Sequence, residues 1–154
     1  MGIEIERKFL VINNNYKKLS SPFHCIQGYI CENPLTRIRI INDKSYITLK
    51  GINQGIRRSE YEYEIPILDA KNLLDEFCEN PIIEKNRYKI LIANTLWEVD
   101  EFLGDNLGLV VAEVELKNEN DTFDKPDWIG EEVSYEDKYF NHNLVNNPFS
   151  KWVS

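Results

Sequence analysis

Apolar and polar residues alternate at every second position through most of the chain, which is the pattern of β-strands with two different faces. Most of these segments follow one another through short turns, such as Glu32-Asn33-Pro34. The pattern therefore predicts antiparallel hairpins. The predicted strands are 3–12, 25–31, 35–41, 45–50, 56–66, 82–92, 95–102 and 108–117.

Helical periodicity is confined to short segments, of which 69–79 is the clearest. Leu73, Leu74 and Phe77 form an apolar stripe there, and Asp69 stands where an N-cap is expected. The stripe predicts a helix that packs on one side against the strands.

Two weaker helical segments complete the pattern. Ser134 followed by Asp137 predicts a helix near 136–145, and a short polar helix is predicted near 14–20. About eight strands with two or three helices indicate an α+β, mainly β chain. We predict an eight-stranded antiparallel closed β-barrel or strongly curved sheet with flanking helices, in a single domain over 1–154.

The composition excludes several classes of protein. Of the 154 residues, 42% are hydrophobic, which argues against a disordered chain, and 26 acids against 18 bases argue against a nucleic-acid binder. No apolar run approaches the roughly 18 residues of a membrane span, and the N-terminus lacks the basic flank of a signal peptide. Cys25, Cys31 and Cys78 show no metal-ligand spacing, so we expect reduced thiols in a cytoplasmic protein.

Ionisable residues share one face on six of the predicted strands. A solvated outer face explains any one of these strands alone. Six together favour a closed sheet whose charged face lines a lumen, although the sequence leaves open which face points inward. The sets are Glu4/Glu6/Lys8, Arg37/Arg39, Glu60/Glu62/Glu64, Lys85/Arg87/Lys89, Glu98/Asp100 and Glu113/Glu115.

A lumen with charges of both signs needs a ligand that neutralises both, because isolated buried charges cost several kcal/mol each. A polyphosphate with a divalent metal meets this need. The carboxylates whose hard oxygens suit Mg²⁺ or Mn²⁺ are Glu4, Glu6, Glu113 and Glu115. The bases that suit phosphate oxygens are Lys8, Arg37, Arg39, Lys50, Lys85 and Arg87.

The order of the short motifs resembles a known family. Glu4-Ile5-Glu6-Arg7-Lys8 forms an E-x-E-x-K motif on the first predicted strand. The later motifs are Arg37-Ile38-Arg39, Thr48-Leu49-Lys50, Glu60-Tyr61-Glu62, Glu84-Lys85-Asn86-Arg87-Tyr88, Glu98-Val99-Asp100 and Ala112-Glu113-Val114-Glu115. From Met1 to about Tyr139, the set resembles the CYTH superfamily, the triphosphate tunnel metalloenzymes.

The resemblance implies an eight-stranded antiparallel tunnel and a role for each charged position. By this resemblance the phosphate ligands are Lys8, Arg37, Arg39, Lys50 and Arg87. The metal-site carboxylates are Glu4, Glu6, Glu113 and Glu115. Further acidic positions that reach a metal or its waters are Asp100 and, as additional candidates, Glu60 and Glu62. Lys85 matches a lysine proposed to activate water, and plain phosphate binding by Lys85 stays an equal alternative.

The resemblance also implies an activity. Segments 130–133 and 137–139 resemble short bacterial members, which tend to prefer inorganic triphosphate. We therefore expect Mg²⁺- or Mn²⁺-dependent hydrolysis of inorganic triphosphate to pyrophosphate and phosphate, with a homodimer as the prior assembly. The alternatives are a class IV adenylyl cyclase, a thiamine or nucleoside triphosphatase, and a noncatalytic polyphosphate-binding module. No base-reading element is evident for a cyclase, and a binding module would need mainly the bases.

Other polar residues are predicted to lie outside the site. The histidines His24 and His142 are isolated in the sequence. Arg57, Arg58 and Glu64 are expected as solvated or rim charges.

Overall fold

The computed structural model describes residues 2–152, which contain nine β-strands, one α-helix and five 3₁₀ helices. The strands are β1 (Gly2–Val11), β2 (Phe23–Glu32), β3 (Leu35–Ile41), β4 (Lys44–Lys50), β5 (Arg57–Ile65), β6 (Ile83–Ile92), β7 (Thr95–Phe102), β8 (Val110–Glu115) and β9 (Ile129–Glu132). The α-helix, α1, spans Ile67–Glu76. The 3₁₀ helices are Asn15–Lys18, Gly104–Asn106, Asp137–Tyr139, Asn141–Leu144 and Phe149–Lys151.

Eight of the strands close into an antiparallel barrel in the order β1-β5-β4-β3-β2-β6-β7-β8. The first strand closes the ring, because residues 2–5 pair with β5 and residues 6–10 pair with β8. The ninth strand pairs with the end of β1, outside the ring. The predicted eight-stranded closed antiparallel barrel is confirmed, and the four-residue β9 is an addition that the alternation did not reveal.

The helix α1 differs from its prediction at both ends. It begins at Ile67 with Pro66 as the N-cap residue, and the Pro66 carbonyl accepts the N–H of Ala70 at 3.0 Å. Asp69 therefore lies within the first turn, and the predicted Asp69 cap is wrong. Phe77, expected in the apolar stripe, follows the helix and is 58% exposed.

The helix predicted near 136–145 is also wrong. Two 3₁₀ helices take its place, and Phe140 separates them with an extended backbone (φ −72°, ψ 133°). The polar helix predicted near 14–20 forms as the 3₁₀ helix Asn15–Lys18. The separation at Phe140 matters for the site, because it lets the following residues turn toward the barrel.

The apolar faces of the strands point outward and are covered by loops, by α1 and by the C-terminal segments. Phe9, Trp97 and Trp128 belong to one buried cluster on this outer side, while Ile38 packs beneath α1 in another. Alternation then directs the neighbours of these residues, many of them charged, into the barrel. Within residues 2–152, no helix is long and apolar enough to span a membrane.

Trp128 tests the outer core. Its ring packs edge-on against Tyr16 and Trp97 and is 1% exposed. We expect Trp128→Ala to lower the free energy of unfolding by about 3–5 kcal/mol, measured by urea denaturation, because a large cavity remains. Leu91→Ala removes a side chain that is 69% exposed and should stay within about 0.5 kcal/mol of the wild type. Equal losses in the two variants would contradict this assignment of the core.

Candidate active site

The charged faces of the strands surround a cavity of about 350 Å³ inside the barrel. Its acidic lining residues are Glu4, Glu6, Glu60, Glu62, Glu98, Glu113 and Glu115. Its basic lining residues are Lys8, Arg37, Arg39, Lys50, Arg58, Lys85, Arg87 and Lys89. Eight of the 18 bases but only seven of the 26 acids line this cavity. An acidic chain thus presents a nearly balanced, base-enriched interior to a ligand.

The two signs of charge occupy different halves of the wall. Acids come from β7, β8, β1 and β5, which are four consecutive strands of the ring. Bases come mainly from β4, β3 and β6, with the uncharged inner face of β2 between the last two. Lys8 and Arg58 are the exceptions on the acidic side. The lumen is therefore bipolar: one half suits a cation and the opposite half suits an anion.

Two arginines on β3 lead the basic half. Arg37 and Arg39 both donate from Nη2 to Oε2 of Glu62 at 3.3 Å, and the Thr48 hydroxyl donates to the same oxygen at 2.7 Å. The Nε atoms of both arginines are buried and have no hydrogen-bond partner within residues 2–152. Buried donors without a partner are costly, so these two point to an anionic ligand.

Asp100 lies on the inner face of β7, opposite Arg87 in the β6–β7 register, but it does not line the cavity. Its two carboxylate oxygens accept hydrogen bonds from Lys85 Nζ at 2.8 Å and from Arg87 Nε and Nη2 at 2.8 and 2.9 Å. Burial alone would raise the pKa of Asp100, but the cations Arg87 and Lys85 outweigh it and lower that pKa. In this structure Asp100 is the counter-ion of two bases, and its predicted contact with a metal or its waters stays a prediction.

Lys85 is the most enclosed base of the cavity wall. It is 1% exposed, and its ammonium group lies within 2.8 Å of both Asp100 Oδ2 and Asn141 Oδ1. Burial lowers the pKa of Lys85, Asp100 opposes that effect, and the nearby Arg87 adds to it. A lysine with a lowered pKa is better suited to exchange protons near neutral pH than an exposed one.

The acidic half holds carboxylates close together. Burial, helped by the negative charges of Glu113 and Glu4, raises the pKa of Glu6 well above its usual range. Burial opposes ionisation of Glu113 as well, but Lys8 and a hydrogen bond from Glu6 lower the pKa of Glu113 well below its usual range. Of these two neighbouring carboxyl groups, Glu6 is the one whose protonated form the surroundings favour.

This donor set fits a divalent cation. Glu4, Glu6 and Glu113 offer only hard oxygen atoms, and a bound cation would favour the ionised form of all three carboxylates. In the described part of the chain, no three carboxylate, imidazole or thiolate groups already surround one point. Lys50 lies 3.2 Å from Glu4, and Lys8 lies 3.9 Å from Glu113. Side-chain rotation away from these lysines is thus part of assembling a metal site.

The remaining predicted metal candidates lie nearer the openings of the cavity. Glu115 is exposed and stands opposite Glu6 in the β1–β8 register. Glu60 lies 3.4 Å from Lys50, and burial with the charge of Glu4 raises its pKa. Glu62 accepts hydrogen bonds from Arg37 and Arg39 and, within residues 2–152, does not pair with another acid.

The cavity also contains residues that the sequence did not assign to the site. Asn141 and His142 reach it from the 3₁₀ helix Asn141–Leu144, and Phe140 reaches it from the position before that helix. The prediction that His142 lies outside the site is therefore wrong. No alternation marks this irregular segment, so only its tertiary contacts identify these residues. Arg58, predicted at the rim, lines the cavity and donates to the Gly51 carbonyl at 2.8 and 3.0 Å.

The CYTH domain family profile matches residues 2–143. The chain belongs to the CYTH family. An inorganic triphosphatase of Acetivibrio thermocellus is 51% identical over 154 residues, with 99% of each chain covered. An inorganic triphosphatase of Nitrosomonas europaea is 34% identical, with 92% of this chain and 96% of that protein covered. The crystal structure of an inorganic triphosphatase superposes with a TM-score of 0.67 at 31% identity, covering 92% of this chain and 93% of that one. The predicted family is confirmed.

The buried counter-ion of this CYTH barrel can be tested by unfolding. We expect Asp100→Asn to lower the free energy of unfolding at pH 7 by about 3–5 kcal/mol, because Lys85 and Arg87 lose their shared carboxylate. Glu98→Gln is the matched control. The Glu98 side chain is 21% exposed, and its contact with Arg87 is longer, at 3.3 Å. Similar losses in both variants would contradict the special position of Asp100.

The stability difference between the wild type and Asp100→Asn should also depend on pH. Despite burial, Arg87 and Lys85 hold the pKa of Asp100 below its ordinary value of 3.8. The stabilisation by Asp100 is thus fully present above pH 3.8 and is lost as the pH falls through the lowered pKa. The difference between wild type and Asp100→Asn should shrink over that acid range, as measured by denaturation at a series of pH values.

Proposed function

We propose that this chain hydrolyses inorganic triphosphate to pyrophosphate and phosphate with the help of Mg²⁺ or Mn²⁺. The observation that carries the proposal is the bipolar lumen, in which the cavity-lining bases stand opposite a half-ring of carboxylates. A metal-bound polyphosphate carries both charges that such a cavity needs. Two relatives with the name inorganic triphosphatase, one of them 51% identical along the chain, support the same substrate. The homodimer and the cytoplasmic location stay predictions.

The bases of the wall bind the phosphate chain in this proposal. Arg37 and Arg39 present planar guanidinium groups that match phosphate oxygens. Glu62 occupies them in the absence of substrate, and a phosphate group takes its place when the substrate enters. The other proposed phosphate ligands are Lys8, Lys50 and Arg87.

The carboxylates of the other half serve the cation. Glu4, Glu6, Glu113 and Glu115 would hold it, and Glu60 is the additional candidate beside Glu4. When bound, a divalent metal neutralises the charge that develops on the phosphate oxygens. A cation that binds Glu4 and Glu113 would leave Lys50 and Lys8 without these counter-ions, and phosphate groups would compensate the two lysines. Substrate and cation therefore stabilise one another in the lumen.

The reaction breaks one phosphoanhydride bond. A water oxygen bonds to a terminal phosphorus atom, the bridging P–O bond breaks, pyrophosphate leaves and the water proton passes to a base. The arginines hold the chain so that the water and the leaving oxygen are in line. Lys85 stands in the wall with its pKa lowered, and we propose that it acts on the attacking water or on the phosphate that the water attacks.

A substrate comparison tests the activity. The purified chain is incubated with Mg²⁺ or Mn²⁺ and, separately, inorganic triphosphate, ATP or thiamine triphosphate. We expect phosphate and pyrophosphate mainly from inorganic triphosphate and no turnover after chelation of the metal. Pyrophosphate with cyclic AMP from ATP would support the cyclase instead, and tight binding without turnover would support a binding module. Preferred hydrolysis of ATP or thiamine triphosphate would reassign the substrate.

Replacement of Lys85 tests its role in the chemical step. We expect Lys85→Ala to lower kcat by about 100-fold or more while KM changes by about threefold or less, because proton transfer is lost and the arginines remain. Lys44→Ala removes an exposed lysine of β4 outside the cavity and should match the wild type. An unchanged kcat with a raised KM would make Lys85 a phosphate ligand only.

A further inference from the structure

Asn141 is held firmly at the cavity although it belongs to no strand of the barrel. Two residues earlier in the chain, the backbone carbonyl of Tyr139 accepts a hydrogen bond from Lys8 Nζ at 3.2 Å. On the other side, Leu144 and Val145 are 0% and 3% exposed within the outer core. The segment is therefore anchored at both ends, and its side chains enter the cavity in a defined position.

The side-chain oxygen of Asn141 is an acceptor for two donors from the barrel. Oδ1 accepts from Lys85 Nζ at 2.8 Å and from Gln27 Nε2 at 3.2 Å. Gln27 is fully buried, and its Nε2 also donates to the Tyr29 hydroxyl at 2.7 Å. Because both neighbours are donors, the amide of Asn141 has one favourable orientation, with the oxygen toward Lys85.

This arrangement fixes the direction of the Lys85 amino group. An ammonium group has three N–H donors, and two of them are directed to Asp100 and Asn141. The third direction at the nitrogen points to a group in the cavity. It holds an N–H in the ammonium form and a lone pair in the neutral amine. One acceptor alone would leave the group free to rotate about the end of its flexible chain, whereas two acceptors on separate elements define its direction.

We propose that Asn141 is a positioning residue of the active site, which together with Asp100 directs the Lys85 amino group at the reacting phosphate or water. The inference rests on the proposed triphosphate hydrolysis. It gives the C-terminal segment a part in the reaction, beyond its packing on the barrel. It concerns a residue that acts through Lys85 and need not touch the substrate.

Three variants test this role. Asn141→Leu keeps nearly the same shape but removes the acceptor, Asn141→Asp keeps an acceptor oxygen, and Asn143→Leu is the control on the same 3₁₀ helix. Asn143 does not line the cavity, and its side-chain amide donates to the Asp137 carbonyl at 2.7 Å. All variants are first compared with the wild type by thermal unfolding, so that a loss of fold is recognised separately.

The kinetic result expected for Asn141→Leu is a fall in kcat of about tenfold or more with KM within about twofold, because one hydrogen bond to a charged group is lost where position matters. Asn141→Asp should retain more of kcat than Asn141→Leu and raise KM, since its negative charge repels the substrate. Asn143→Leu should keep both constants. Equal constants for Asn141→Leu and Asn143→Leu in an active wild-type background would overturn the role of Asn141.

A second readout does not depend on hydrolysis. Hydrogen exchange of the Lys85 side-chain N–H protons is followed by nitrogen-15 NMR, with the signal assigned by its absence in Lys85→Met. We expect slow exchange in the wild type and in Asn141→Asp, and fast exchange or a lost signal in Asn141→Leu. An unchanged signal in Asn141→Leu would overturn the positioning role. Failure of the wild type to hydrolyse triphosphate, in contrast, would overturn the proposed function.

Discussion

The barrel depends on the neutralisation of charges that its own alternation directs inward. A buried ion without a partner costs several kcal/mol, so a lumen with fifteen ionisable side chains of the lysine, arginine and glutamate types needs counter-charges. The structure meets part of this need with single residues that serve two opposite charges each. These are Asp100 for Lys85 and Arg87, Glu62 for Arg37 and Arg39, and Lys50 for Glu4 and Glu60.

These shared counter-ions differ in solvent exposure, and the exposure decides which of them a ligand can replace. Asp100 is 1% exposed, so its contacts with Lys85 and Arg87 belong to the permanent framework. The Glu62 side chain is 34% exposed and faces the cavity, so an anion can replace it on the two β3 arginines without uncovering a buried charge. Ligand exchange is favourable only where the counter-ion that leaves can be solvated. Glu62 meets this condition, and Asp100 does not.

Because acids and bases lie on different halves of the lumen, the charges that remain uncompensated can bind a cation on one side and an anion on the other. Like charges face each other in the register at Glu6–Glu115 and Glu98–Glu113, which is unfavourable in a protein with no cation to bind. Arg37 and Arg39 likewise retain buried Nε–H groups that find no partner among the described residues 2–152. Both features are local costs that a cation and an anion relieve together. The apolar outer faces are packed around Trp97 and Ile38, and their burial offsets these unfavourable terms.

The sequence by itself determined the eight strands of the barrel, the face on which each charge lies and the motifs that resemble the CYTH family. Alternation of period two depends only on neighbouring residues, so it survives in the sequence. Which face points inward, and that Arg58 lines the cavity while Asp100 does not, required the closed ring. The positions of β9 and Asn141 were also decided by tertiary contacts. These segments have no periodic pattern, and residues more than 50 positions apart hold Asn141 beside Lys85 and Gln27.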